Sequence, residues 1–298
     1  MSGPLLLRSM MFVPGNDPRL LDSASRSDAD ALILDLEDSV PSGSQKQAAR
    51  DTIRAALDQG QFAERTLFVR VNDQESGHLP ADVLALAFPG IAGFVYPKCR
   101  SVADITYFDD LLTAAEADRG LPPGTFSMVL LIETPAAVLH AEDLCRASPR
   151  VVALAFGCED FISELGGTLD EAGSSLLTAR FLIVLAARAA GVQAIDTIHV
   201  RVHDLDDLER DLASSRDLGF DGMLLLHPKE IEPAHRYLSP SPEEVARARE
   251  VIRLSEEAES RQRGVVLLDG RIVGPPVVRA ARRTLARHEL IAAARRPA

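Results

Sequence analysis

Met128-Val129-Leu130-Leu131-Ile132-Glu133-Thr134-Pro135 is the stretch that decides the fold. Five apolar residues, long enough for a buried strand, end on a carboxylate, and Thr-Pro then has the form of a helix cap followed by a first-turn proline. Seven more runs repeat the plan: residues 9–13 before Pro14, 31–34 before Asp35, 66–69 before Arg70, 93–96 before Pro97-Lys98, 151–156 before Gly157, 194–195 before Asp196 and 222–226 before His227. Near-continuous apolar runs of this length suit parallel strands covered on both faces. Eight of them, separated by helical stretches, predict an α/β fold of the (β/α)8 TIM-barrel type, whose active site is built at the C-terminal strand ends.

At 298 residues the chain exceeds the ~250 typical of one such barrel and leaves a C-terminal remainder. The barrel is placed at 8–237 and a helical and hairpin extension at 238–298, capping a neighbouring subunit. Hydrophobic residues make up 46% of the chain, enough for a large core. No apolar stretch approaches the ~20 residues of a membrane span, and the N-terminus lacks the basic and apolar regions of a secretion signal. Cys99, Cys145 and Cys158 form no C-x-x-C pair and read as reduced thiols filling space in a cytoplasmic protein. A net charge of −12 argues against a nucleic-acid surface. Lys46, Lys98 and Lys229 are the only lysines, so candidates for a Schiff-base amine are few.

Helices are expected after Asp17-Pro18, over 44–57 up to Gly60, over 136–147, over 174–190 up to Gly191, and over 204–218 up to Gly219. Beyond the barrel, a charged helix spans roughly 243–262, a hairpin turns at Asp269-Gly270, and a basic helix covers roughly 275–294.

Glu133 and Asp160 close runs five and six, neighbours in a sequentially wound barrel. Such a carboxylate pair suits Mg²⁺, which prefers oxygen ligands, keeps several waters and takes one or two protein carboxylates. The plain alternative is that each acid caps the helix that follows. Asp35, Glu37 and Asp38 after run two would repel one another without a cation between them, and Glu37 is placed to hydrogen-bond water on the ion. Arg70 is the natural clamp for a substrate carboxylate, because its fork pairs bidentately. Lys98 reads as the cationic partner of the acids, with a Schiff-base amine as the rarer reading. His227, held extended by Pro228, can aim its ring at the mouth.

In this order the motifs resemble those of the citrate lyase β-subunit-like family, which includes malyl-CoA and citramalyl-CoA lyases. They are Arg8-Ser9-Met10-Met11-Phe12-Val13-Pro14-Gly15-Asn16, Asp35-Leu36-Glu37-Asp38-Ser39-Val40, Arg70-Val71-Asn72, Pro97-Lys98, Ile132-Glu133-Thr134, Phe156-Gly157-Cys158-Glu159-Asp160, Ala194-Ile195-Asp196 and His227-Pro228. The likeness covers about residues 8–290. It implies a Mg²⁺-dependent barrel, assembled as a homotrimer or homohexamer, that cleaves or forms a carbon–carbon bond beside a CoA thioester. By position it makes Glu133 and Asp160 the metal ligands and Arg70 the holder of the substrate carboxylate. Phe12, Arg19 and Lys46 fall where the family contacts CoA, and Leu226 and His227 match a further ligand-contacting pair. The implied reaction is a retro-Claisen or retro-aldol cleavage, with an acyl-thioester enolate as leaving group.

Two positions depart from that pattern. Where the family carries an Asp that serves a neighbour's active site as acid or base, this chain has Gly274, with Asp269 five residues earlier. Where a lysine is usual before run eight, it has Met223. The leading expectation is therefore a lyase acting on an acyl-CoA thioester such as malyl-CoA or citramalyl-CoA. A metal-dependent aldolase on free 4-hydroxy-2-oxo acids and a degenerate, non-catalytic subunit are the alternatives.

Overall fold

Eight parallel strands close into a barrel in sequence order: β1 (Ser9–Pro14), β2 (Ala31–Asp35), β3 (Leu67–Arg70), β4 (Gly93–Tyr96), β5 (Ser127–Ile132), β6 (Val151–Phe156), β7 (Gln193–Asp196) and β8 (Gly222–Leu225). The seam is the pairing of β8 with β1, where Met10 lies opposite Leu224. The computed structural model describes residues 5–41, 43–169, 173–260, 266–268 and 270–294. All five residues of β2 and all four of β3, β4 and β8 are buried, as strands enclosed by side chains within and helices without must be. The (β/α)8 barrel is thus the fold of this chain.

Local chemistry explains several helix starts. Asp17 accepts a hydrogen bond from the Arg19 amide and caps Pro18–Ser25, and Thr134 caps Pro135–Leu139 through the Ala137 amide. Gly191 and Gly219 end their helices in the left-handed conformation that glycine adopts without strain. One expected helix, 136–147, is two: Pro135–Leu139 and Ala141–Arg146 meet at His140, whose φ of −112° and ψ of 16° leave the helical region.

The chain divides into two compact units, Leu7–His235 and a smaller one that begins at Arg236 and takes in Leu5 and Leu6. In the smaller unit, helices Pro242–Ser260 and Pro275–Ala294 and the hairpin Val266–Leu268/Arg271–Val273 share a core of Ala248, Val251, Val273 and Ala281. Asp269, expected in the hairpin turn, lies outside the described residues. All three cysteines are free and buried. Among the described residues no helix is long and apolar enough to cross a membrane.

At the N-terminal strand ends lies a buried ion network. Arg8 donates to both oxygens of Asp30, at 2.8 and 2.7 Å, and His235 lies 3.3 Å from the same carboxylate. Burial pushes the Asp30 carboxyl up, but hydrogen bonds from His235 and Arg8 outweigh it and hold the group at about 2. A folded-state value below the unfolded one stabilises above the unfolded value, and that stability is lost as pH falls through the folded value. Asp30→Asn is therefore expected to lower stability at pH 7 by roughly 2 kcal/mol. The melting-temperature gap to the wild type should close between about pH 4 and pH 2. A gap that does not change with pH would show that the charge on Asp30 is not what stabilises.

Candidate active site

The loop after β2 is fixed from three sides. Asp35, the last residue of β2, accepts the amides of Glu37 at 2.9 Å and Ser39 at 3.1 Å. Its carboxylate also receives the Arg70 fork, with Nε at 2.6 Å and Nη2 at 2.8 Å. Register dictates that meeting, because Asp35 and Arg70 are cross-strand partners at the ends of β2 and β3. From behind, the buried Lys46 ammonium donates to the Leu36 and Glu37 carbonyls, both at 2.7 Å.

This arrangement adjusts two expectations. The bidentate edge of Arg70 faces Asp35, so an incoming anion would meet its Nη1 edge. There Glu37 Oε2 lies at 2.9 Å and Asp38 Oδ2 at 3.1 Å, and Asp38 is 62% exposed. Lys46, expected at a ligand contact, supports the loop that carries Glu37 and Asp38, and burial lowers its pKa. The Phe12 ring lies 4.7 Å beneath the Arg70 guanidinium.

Lys98 ties the second half of the site together. It is the single non-glycine residue with positive φ, 49°, among the described residues, a conformation that costs of order 1 kcal/mol or more and gathers at functional sites. In this pose its amide donates to Glu133 Oε1 while its ammonium stands 2.7 Å from Glu37 Oε1. Burial pushes the ammonium down, but Glu37 outweighs it and holds the group protonated well above the ordinary range. A protonated amine is no nucleophile, so this pairing favours the cationic-partner reading of Lys98 over the Schiff-base one.

Glu133 follows β5 directly and is buried. Gly157 makes its room: a Cβ there would come within 2.7 Å of both Glu133 Cβ and Oε2. Burial, with Glu37 and Asp160 nearby, pushes the Glu133 carboxyl up to about 8 against the opposing Lys98 amide. Burial raises Glu37 to about 7, with Arg70 opposing and Asp38 adding to the rise. Both Glu37 oxygens lie at ion-pair distance from their partners but off hydrogen-bond alignment. Asp160 is exposed in the first turn of helix Cys158–Leu165, one turn beyond the strand end assigned to it. A buried carboxylate raised by two neighbouring acids, in a set with only oxygen donors, fits a hard divalent cation that would relieve the repulsion.

The other expected residues lie apart from this cluster. Arg19, in the first turn of its helix, is 91% exposed and pairs with Asp17. Leu226 and His227 follow β8, and their amides bond the buried Glu230 carboxylate at 2.9 and 3.4 Å. His227 Nδ1 accepts the Lys229 amide, which places the proton of a neutral ring on Nε2. Burial, Lys229 and His203 lower the His227 pKa.

Residues 8–228 match the family described as HpcH/HpaI aldolase/citrate lyase. The chain is 34% identical to the citrate lyase subunit beta of Leuconostoc mesenteroides subsp. cremoris over 285 residues, 96% of this chain and 94% of that protein. It is 34% identical to a (3S)-malyl-CoA thioesterase of Cereibacter sphaeroides over 286 residues, 96% of each. Among solved structures it is similar to the protein CitE of Mycobacterium tuberculosis in complex with magnesium, acetoacetate and coenzyme A. The TM-score is 0.73 and the identity 28%, covering 94% of this chain and 97% of that one.

Proposed function

The chain belongs to the HpcH/HpaI aldolase/citrate lyase family, and from that premise we propose that it is a Mg²⁺-dependent carbon–carbon lyase acting on an acyl-CoA thioester such as malyl-CoA or citramalyl-CoA. The observation that carries the reading is the strand-end cluster itself: Glu133, Glu37, Lys98 and Arg70 in one linked set, with Asp160 beside it. Glu133 and Asp160 would hold the ion. When bound, it supplies Lewis-acid stabilisation of negative charge developing on a substrate oxygen, worth several kcal/mol.

The chain's own residues do the rest. Arg70, oriented by Asp35, offers its Nη1 edge to a substrate carboxylate, which would displace the exposed Asp38 from that edge. Glu37, with a pKa of about 7, is poised to take a hydroxyl proton at neutral pH, where a general base works best. Lys98 keeps its charge beside that carboxylate and fixes Glu133 through its amide. Arg19, exposed and cationic, would meet a CoA phosphate.

The (3S)-malyl-CoA thioesterase relative, as similar in sequence as the citrate lyase subunit, favours a second reading in which the thioester is hydrolysed. Purified protein with Mg²⁺, assayed on malyl-, citramalyl- and citryl-CoA and on free 4-hydroxy-2-oxo acids, separates the readings. An acyl-CoA plus a 2-oxo acid supports the lyase, free CoA plus a hydroxy acid supports the hydrolase, and turnover of free acids alone supports the aldolase.

Gly274 sharpens the test. If the reaction normally draws a proton from an Asp at that place, the wild type should be slow on malyl-CoA and Gly274→Asp faster, toward the ~10²–10⁴-fold of a positioned acid or base. Strain does not stand in the way. Gly274 is not in the left-handed region, and an added Cβ would meet nothing nearer than Pro276 Cδ at 3.8 Å. It precedes helix Pro275–Ala294, and the amides of Val277 and Val278 donate to its carbonyl. Asp is a favoured residue at such a start, so the melting temperature should hold or rise slightly. Ordinary turnover by the wild type with no gain in the variant would show that another group supplies the proton.

A further inference from the structure

Two demands meet at Gly157. It must lack a side chain, because a Cβ there would come within 2.7 Å of Glu133 Cβ and Oε2. The same residue is the N-cap of helix Cys158–Leu165, which carries Asp160. An N-cap side chain normally accepts an amide hydrogen of the first turn, where the opening amides lack a partner within the helix. Glycine has no side chain to offer. The room that admits one carboxylate of the site therefore costs the helix bearing the other its own cap.

The next strand supplies the acceptor. Thr197 follows β7 directly and is 9% exposed, and its Oγ1 accepts the Cys158 amide at 3.2 Å. That oxygen is held from behind. The Thr197 amide donates to Asp196 Oδ1 at 2.9 Å. The buried Asp196 carboxylate is in turn gripped by Arg180 of helix Ser174–Ala190 and by the Ser215 hydroxyl of helix Leu205–Leu218. On the other side, the Gly157 amide donates at 3.0 Å to the carbonyl of Ile132, the residue before Glu133. The helix start is thus pinned to β5 through Gly157 and to the end of β7 through Cys158. Asp160 is exposed and sits two residues further along, in a helix of eight residues. So short a helix has little stability of its own with which to fix a side chain.

We propose that Thr197 is a positioning residue of the metal site, a role that rests on the reading of Glu133 and Asp160 as the Mg²⁺ ligands. By capping the Asp160 helix from the neighbouring strand, it holds that carboxylate where it and Glu133 can share one ion.

Calorimetric Mg²⁺ titration and amide hydrogen exchange on the full chain test this without an activity assay. Thr197→Val removes the acceptor and keeps the shape. It should raise the Mg²⁺ dissociation constant about tenfold, the low end of what losing a group behind a metal ligand costs. Thr197→Ser returns the oxygen and should bind like the wild type. In an Asp160→Asn background the valine change should add little, because it acts through that carboxylate, whereas a merely structural role would cost the same in both. Asp204→Ala, which strips the cap of helix Leu205–Leu218, should leave the affinity unchanged. The wild-type Cys158 amide should exchange more slowly once Mg²⁺ is bound, since binding and capping favour one arrangement.

Wild-type affinity in Thr197→Val, with binding weakened in Asp160→Asn, would overturn the role of Thr197 alone. A serine variant no better than valine, or equal losses with and without Asp160, would do the same. Should the valine variant fail to fold, a Cys158 amide indifferent to Mg²⁺ in the wild type decides against the proposal. Wild-type affinity in Asp160→Asn would instead overturn the ligand assignment, and the role of Thr197 with it.

Discussion

Glu133→Gln is expected to fold, to bind Mg²⁺ weakly and to lose activity by about 10³-fold, the equivalent of several kcal/mol of charge stabilisation. The fold should survive because the amide oxygen can still accept the Lys98 N–H, and the space left by Gly157 admits a group of the same size. Without added metal the variant should melt at or above the wild-type temperature. The wild-type carboxyl is pushed to about 8 by burial and like charge, so ionising it works against the fold. Loss of function with no loss of stability marks a group kept for its chemistry. Asp160→Asn should behave alike in metal binding, with only the small helix-dipole cost of neutralising an exposed first-turn acid. Calorimetric Mg²⁺ titration with melting curves at matched pH is the measurement, and EDTA should silence the wild type until Mg²⁺ is returned in excess. Unchanged affinity in both variants would sink the assignment of these two carboxylates.

Much of this site was legible because barrel geometry sends strand-end residues to one face, so eight short runs and their closing residues suffice to nominate Glu133, Arg70 and Lys98 together. What escaped was everything set by pairing rather than by position. The Asp35 carboxylate was visible among the acids, yet its capture of the Arg70 fork follows from the β2–β3 register, which no single run discloses. Lys46 was placed at a CoA contact because a sequence does not show that its ammonium is enclosed beneath two carbonyls. The space Gly157 leaves for Glu133 is a cross-strand fact of the same kind. The helix Val102–Asp118 was announced by Ser101 and Asp104, a capping box with both reciprocal bonds formed, and could have been read from that spacing.

Arg150→Met should destabilise the barrel by about 3–5 kcal/mol, the usual cost of stripping one partner from a buried ion pair. Arg150, just before β6, sends Nη1 and Nη2 to the two oxygens of Glu116, at 2.6 and 2.8 Å, and also bonds the Phe126 carbonyl, Thr113 Oγ1 and Asp109. Glu116 is 1% exposed, so its charge would be left with no cation and no water. The same carboxylate accepts the Gly124 and Phe126 amides at 2.9 Å each, anchoring the loop that leads into β5 and so toward Glu133. Replacing Glu116 by leucine would orphan those amides, whereas Glu116→Gln removes the charge and keeps an acceptor. The double variant Arg150→Met/Glu116→Gln should therefore recover most of the loss, giving a favourable coupling of more than about 1 kcal/mol. Denaturant midpoints for the wild type, both single variants and the double variant measure it. Additive losses would mean that Arg150 stabilises by filling space and not by neutralising Glu116.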